Sequence, residues 1–200
     1  MGLLALGLSR PNLRAVKAGI IANRNDLSNM FDPRTGWTST GWGFAEVNGY
    51  FPGYVGIRCT NDGSGASRSI LQNAGVIQAS GNKLVLRFWV ENVSATTTNL
   101  IIQDYQSGTD AIETIHHSSL TWATDSVITV GSPSGGSSQT NSVTVLSNNG
   151  PNGGKVVLLE ISAVSNDTSD TTRPIIYPTG LSTNTDAVVW HAVQYTQEAV

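Results

Sequence analysis

Two adjacent histidines, His116 and His117, and a third at His191 are the residues of this 200-residue chain whose type most readily does acid–base or metal chemistry. Their spacing argues against a shared centre. Neighbouring side chains of an extended strand point to opposite faces, so His116 and His117 cannot grip one ion, and a zinc site would need two or more further ligands. His191 stands in "DAVVWHAVQYTQEAV", residues 186–200, the densest apolar stretch of the chain. That stretch is either a catalytic or metal segment built on the histidine or the last strand of a β-fold. Asp104, Asp110 and Glu113 lie close enough in sequence for a glycosidase carboxylate pair, but "QSGTDAIE" reads as a turn with solvated charges. No G-x-S-x-G elbow is present, because "GSPSG" has Pro133 where the nucleophile would stand. "TNDGSGAS" offers Asp62 and carbonyl oxygens to calcium, at a spacing that fits no calcium loop. The residues therefore point to no catalytic site, no metal and no cofactor.

A sugar platform is the stronger chemical reading. In "KLVLRFWVEN" Trp89 sits between Arg87 and Glu91 on the less apolar face of a strand, and Tyr105 shares a face with Gln103 in the next. An aromatic ring meets the CH side of a pyranose while flanking polar groups take its hydroxyls. Arg87, Trp89 and Tyr105 are the candidate glycan platform. The competing role for Trp89 is packing, where burying such a ring stabilises by roughly 2–3 kcal/mol.

Those residues must be positioned by strands. Charged residues are 12% of the chain, about half the usual share. Ser, Thr, Asn and Gly replace them, which suits a turn-rich β-protein. Cys59 is the single cysteine, so no intrachain disulfide can form, and "VGIRCT" makes it a small buried apolar side chain. From about residue 36 the apolar period is two. Leu84, Leu86, Phe88 and Val90 fall on one face of the clearest strand, and Val85, Arg87, Trp89 and Glu91 on the other. "NLIIQDY", "DSVITVG", "NSVTVLS" and "KVVLLEISAV" follow, separated by glycine-, asparagine- and proline-rich turns. Counting the weaker segments gives about ten short antiparallel strands and no convincing helix, hence an all-β sandwich or barrel. The last strand is apolar on both faces, with Val188, Trp190 and Ala192 against Ala187, Val189, His191, Val193 and Tyr195. Such a strand is central and covered twice or has one face at a subunit contact. On that reading His191 is packed or interfacial, and Val189, His191, Val193 and Tyr195 are a candidate subunit interface.

Residues 1–30 read as an arm ahead of a 31–200 sandwich domain. Residues 1–25 carry four bases and no acid, whereas the remainder carries fourteen acids and seven bases, a split of +4 against −7. Four charges mixed with leucines are thin for phosphate binding, so a protein surface is expected and nucleic acid is not. The basic residues follow the short apolar start rather than precede it, Leu6 breaks the myristoylation pattern, and no stretch approaches about 18 apolar residues. Neither ordinary secretion nor membrane insertion is expected.

The segment order resembles a known family. "GYVGIRCTNDGSGASRSILQNAGVIQASGNKLVLRFWVEN" and the closing "TDAVVWHAVQYTQEA" are similar to the carbohydrate-binding-module-like jelly roll of tailed-phage structural proteins. The family's closing pattern, W-G-a-Q-l-E, is matched at Trp190, Ala192 and Gln194. His191 stands where glycine is usual, and the glutamate arrives late as Glu198. The resemblance spans roughly residues 36–198 and rests on strand patterns, which speak to fold more than to role. It implies a jelly-roll β-sandwich and a non-enzymatic protein of the virion surface. Similar capsid decoration (cement) proteins sit as homotrimers and clamp neighbouring subunits. The docking residues would be Leu3, Leu4, Leu6, Leu8, Arg10, Arg14 and Lys17, against the major capsid protein or another virion protein. The alternatives are a tail fibre or baseplate component, or a carbohydrate-binding module, recognising surface glycan.

Overall fold

The alternating segments become strands in the computed structural model, which describes residues 41–63, 69–71, 77–78, 81–105, 113–167, 171–180 and 185–198. Twelve strands lie among them, against the about ten that the periodicity implied; β4, only two residues long, falls in none of the segments counted. They are β1 (Trp42–Asn48), β2 (Val55–Asn61), β3 (Ile70–Leu71), β4 (Ile77–Gln78), β5 (Lys83–Asn92) and β6 (Thr97–Tyr105). Then come β7 (Thr114–Thr121), β8 (Ser126–Thr129), β9 (Gly136–Ser147), β10 (Val156–Ser165), β11 (Thr171–Tyr177) and β12 (Ala187–Glu198). The proposed arm, with Leu3, Leu4, Leu6, Leu8, Arg10, Arg14 and Lys17, lies outside the described residues, as does the boundary at residue 30.

Sheet I has the order β1-β2-β12-β5-β10-β9, and sheet II the order β3-β11-β6-β7-β8 with β4 also on β11. All pairings are antiparallel. The quartets β2-β12-β5-β10 and β3-β11-β6-β7 exchange the chain from sheet to sheet as a jelly roll does. Leu84, Leu86, Phe88 and Val90 enter the core from β5, where the period of two places them. Opposite stand Leu100, Ile102, Ile115 and Ile176 from sheet II. Phe88 and Trp190 meet edge to face at 4.7 Å in the middle, a geometry that suits the ring quadrupoles. Cys59 is fully buried beside them.

Two buried polar links cross or seal this core. Tyr195 Oη donates to Thr172 Oγ1 at 2.6 Å, tying β12 of sheet I to β11 of sheet II. Trp122 Nε1 donates to Thr98 Oγ1 at 2.9 Å, and that hydroxyl donates on to Pro178 O at 2.6 Å. Burial pushes the Tyr195 phenol well above its usual range, partly offset by the bond to Thr172.

The last strand answers its own ambiguity. β12 runs between β2 and β5 and is buried along Ala187–Thr196. Strict alternation nevertheless fails. Trp190 pairs with Val90, but Ala192 already pairs with Trp89, so His191 is the extra residue of a β-bulge. Beyond it the faces exchange: Val193 and Tyr195 turn into the core with Val188 and Trp190, leaving Ala192 and Gln194 outside. The expected subunit interface of Val189, His191, Val193 and Tyr195 is thus corrected. The four residues split between two faces and are at most 2% exposed within the single chain, so they present no free surface.

Candidate functional site

The outer face of sheet I carries the densest set of interacting polar and aromatic groups among the described residues. Strand parity sends Val85, Arg87, Trp89 and Glu91 of β5 to this side, opposite their core-facing neighbours. Two loops roof one half of it. The β1–β2 loop, residues 49–54, folds over the face so that Phe51 stands edge-on to Trp89, with centroids 6.1 Å apart, and Tyr50 lies 6.0 Å from the His191 ring. The β9–β10 hairpin loop, residues 148–155, arrives from the other side, and Asn152 Nδ2 donates to Asn48 O at 2.9 Å.

Glu91 anchors both loops. Its Oε1 accepts the backbone N–H groups of Asn152 at 2.9 Å and Gly154 at 2.8 Å. Its Oε2 accepts from Asn152 Nδ2 at 2.9 Å and His191 Nε2 at 3.1 Å. His191 Nδ1 in turn accepts the Tyr50 backbone N–H at 3.2 Å. Both side chains are fully buried, and a buried charge is tolerated only when it is paired and hydrogen-bonded in this way. Burial lowers the imidazole pKa, Glu91 opposes that only in part, and the ring is neutral at pH 7. Glycine is required where the hairpin passes over β5, since a Cβ on Gly154 would lie 1.9 Å from Asn92 O.

The other half of the face is open. Arg87 Nε contacts Glu160 Oε2 at 2.5 Å, while its Nη1 reaches Glu198 Oε1 at 2.8 Å and Gln194 Oε1 at 3.2 Å. Burial alone would pull the guanidinium pKa down, but hydrogen bonds and charge from Glu198 and Glu160 outweigh it and the net shift is upward. Partly exposed Trp89 and Phe51 form a wall at one end of this polar floor, with Leu158 beside Trp89 in register. The floor holds carboxylates, an amide and a cation, in reach of hydroxyl groups laid against the wall. The carboxyl groups of Glu160 and Glu198 serve the Arg87 ion pair.

The structure separates the expected platform. Arg87 and Trp89 are neighbours on this face, but Tyr105 ends β6 in sheet II, in register with Thr171. The segment 93–96 after β5 crosses between sheets instead of forming a hairpin, so the two residues lie in different sheets. Phe51 is the ring that stands against Trp89. "NGYFPGY" (residues 48–54) carried the signal, a turn rich in glycine and proline that also holds three aromatic rings.

The remaining candidates fall elsewhere. His116 and His117 do point to opposite faces. His116 is in the core with Nε2 3.1 Å from Ser118 Oγ, and His117 is outside with Nε2 3.2 Å from Asn99 Nδ2. Burial lowers the pKa of both, and the neighbouring His116 adds to the effect on His117. Asp104 is buried and accepts the Glu113 backbone N–H, which closes the β6–β7 connection. Asp110 lies outside the described residues. No group of three or more His, Cys, Asp or Glu residues placed to hold a metal occurs among the described residues.

No protein-family model matches the chain, and no curated protein matches it. Fourteen chains of solved structures do. One is the CBM22-1–GH10 module pair of the Clostridium thermocellum endo-1,4-β-D-xylanase 10B, complexed with xylohexaose. It is 13% identical over 82% of this chain, with a TM-score of 0.45, and the match spans 26% of the xylanase chain, about a quarter of its length. Another is TmCBM61 in complex with β-1,4-galactotriose, at 12% identity, a TM-score of 0.44, and coverage of 88% of this chain and 100% of that one.

Proposed function

We propose that this chain is a non-catalytic carbohydrate-binding sandwich that lays a sugar on the open half of the outer face of sheet I. The observation that carries the reading is the adjacency of Trp89, edged by Phe51, to the Arg87–Gln194–Glu160–Glu198 floor. A pyranose places its CH groups on the ring and its hydroxyls on the floor. Trp89→Ala keeps the core intact, because the ring faces away from it. Stacking is worth up to about 1.5 kcal/mol, so on a printed panel of plant, bacterial-surface and host-type oligosaccharides the variant should bind up to about tenfold more weakly. Equal retention by both proteins, or none by the wild type, refutes the reading.

The charge split of the sequence supports a second reading, in which the sandwich is a virion surface protein. Residues 1–25, at +4 with Leu3, Leu4, Leu6 and Leu8, dock on a capsid or other virion protein, and the domains associate as a homotrimer. The two readings are compatible if the particle displays the sugar-binding face. Mass spectrometry of purified particles tests this. Hundreds of copies per particle mark a decoration protein, a handful a tail component, and none ends the virion reading.

A further inference from the structure

The hydrogen-bond chain Glu91–His191–Tyr50 ends at the loop that carries Phe51, and a passive sugar platform has no need of it. We infer that Glu91 and His191 are positioning residues for the aromatic wall, holding Phe51 against Trp89 while the imidazole is neutral and letting it go in acid, so that sugar binding weakens as pH falls. The inference rests on the sugar-binding reading above.

The geometry has a direction. Glu91 accepts from Nε2, which fixes that nitrogen as the N–H and leaves Nδ1 as the acceptor for the Tyr50 N–H. A second proton on the ring would set N–H against N–H and break the link to the loop. β2 presents Gly56, where an added Cβ would lie 3.0 Å from Nδ1, the β9–β10 loop presents the neutral amide of Asn152, and Tyr50 presents its ring. Glu91 of β5 is the charged group in contact with the imidazole among the described residues. Glu91 also holds Asn152 and Gly154, so the hairpin loop stays in place while the aromatic loop is released. The step from the loop to the wall is short, since Phe51 follows Tyr50 directly and packs on it at 5.5 Å.

The experiment follows two readouts from pH 7.5 to 5 in wild type and in His191→Asn, whose side-chain oxygen stands near the Nδ1 position and does not titrate. One is hydrogen exchange of the Tyr50 amide, corrected for its intrinsic pH dependence. The other is affinity for the array oligosaccharide that the protein retains best. Acid should cut Tyr50 protection at least tenfold in wild type and lower the affinity in parallel, with both profiles flat in the variant. His191→Gln, which keeps a donor toward Glu91 and also lacks a titrating group, serves if His191→Asn does not fold. Constant wild-type protection, or an equal acid loss in the non-titrating variant, overturns the latch. A moving Tyr50 amide with a flat affinity overturns its link to binding. Absence of any retained glycan at any pH overturns the sugar reading itself, and the amide profile still reports separately on the latch.

Discussion

Replacing Glu91 by alanine removes an acceptor that four donors share: two backbone N–H groups, one side-chain amide and one imidazole N–H. Taken singly, hydrogen bonds to a charged group contribute about 1.5–3 kcal/mol each, but the sum overstates the loss. Asn152 is exposed, so its two donors turn to water once the carboxylate is gone. Gly154 N–H and His191 Nε2–H stay under the roof with no new acceptor. One orphaned buried donor at His191 and one half-buried donor at Gly154, at about 1–3 kcal/mol apiece, less the carboxylate desolvation that the variant no longer bears, put the net cost at about 2–4 kcal/mol. For a chain of this size that lowers Tm by about 4–16 °C. Glu91→Gln should fall between: its carbonyl still accepts from Asn152 and Gly154, but its NH2 faces the His191 N–H. Equilibrium urea unfolding of the three proteins checks the order. A loss below about 1 kcal/mol for Glu91→Ala would mean that the roof is held elsewhere and that Glu91 is not its anchor.

Tyr195→Phe removes the hydroxyl that joins the two sheets through Thr172 and should cost about 1–2 kcal/mol in urea unfolding, with sheet content unchanged by circular dichroism. An unshifted midpoint would show the link to be energetically idle. Stability should also fall as pH drops below about 6.5. His191 and His116 are buried with lowered pKa values, so the unfolded chain takes up protons that the folded chain resists. Each contributes a slope of at most about 1.4 kcal/mol per pH unit, from the unfolded pKa down to its folded value. Unfolding free energies that are constant from pH 7 to 5 would contradict the neutral, buried assignment.

How much of this was legible depends on which physical rule governed each residue. Leu84, Leu86, Phe88 and Val90 followed the pleat, so their burial could be read from alternation alone. The same rule misplaced Val193 and Tyr195, because one extra residue at His191 inverts every face beyond it. "WHA" contains no glycine to mark the bulge, and the side chain that the extra residue meets lies a hundred residues away at Glu91. Trp89 and Tyr105 looked like neighbours because consecutive strands commonly pair. A jelly roll sends β5 and β6 to different sheets, and periodicity carries no record of that crossing. That Arg87 and Trp89 share a face could likewise be read from alternation. Phe51 was missed because loop residues obey no period, and only the tertiary return of residues 49–54 over sheet I gives it a role.

The place of β12 has a consequence for how the molecule is made. The strand sits between β2 and β5, yet the ribosome delivers it after both. Until residues 187–198 emerge, the facing edges of β2 and β5 have no partner, and Ile57 and Phe88 lack the Trp190 side chain that completes their packing. Sheet I therefore cannot be complete until β12 is made. A nascent chain halted short of β12 carries two open, apolar-flanked strand edges, the kind of surface that chaperones bind and aggregates recruit. That interval runs from the synthesis of β5 to that of β12, across residues 93–186.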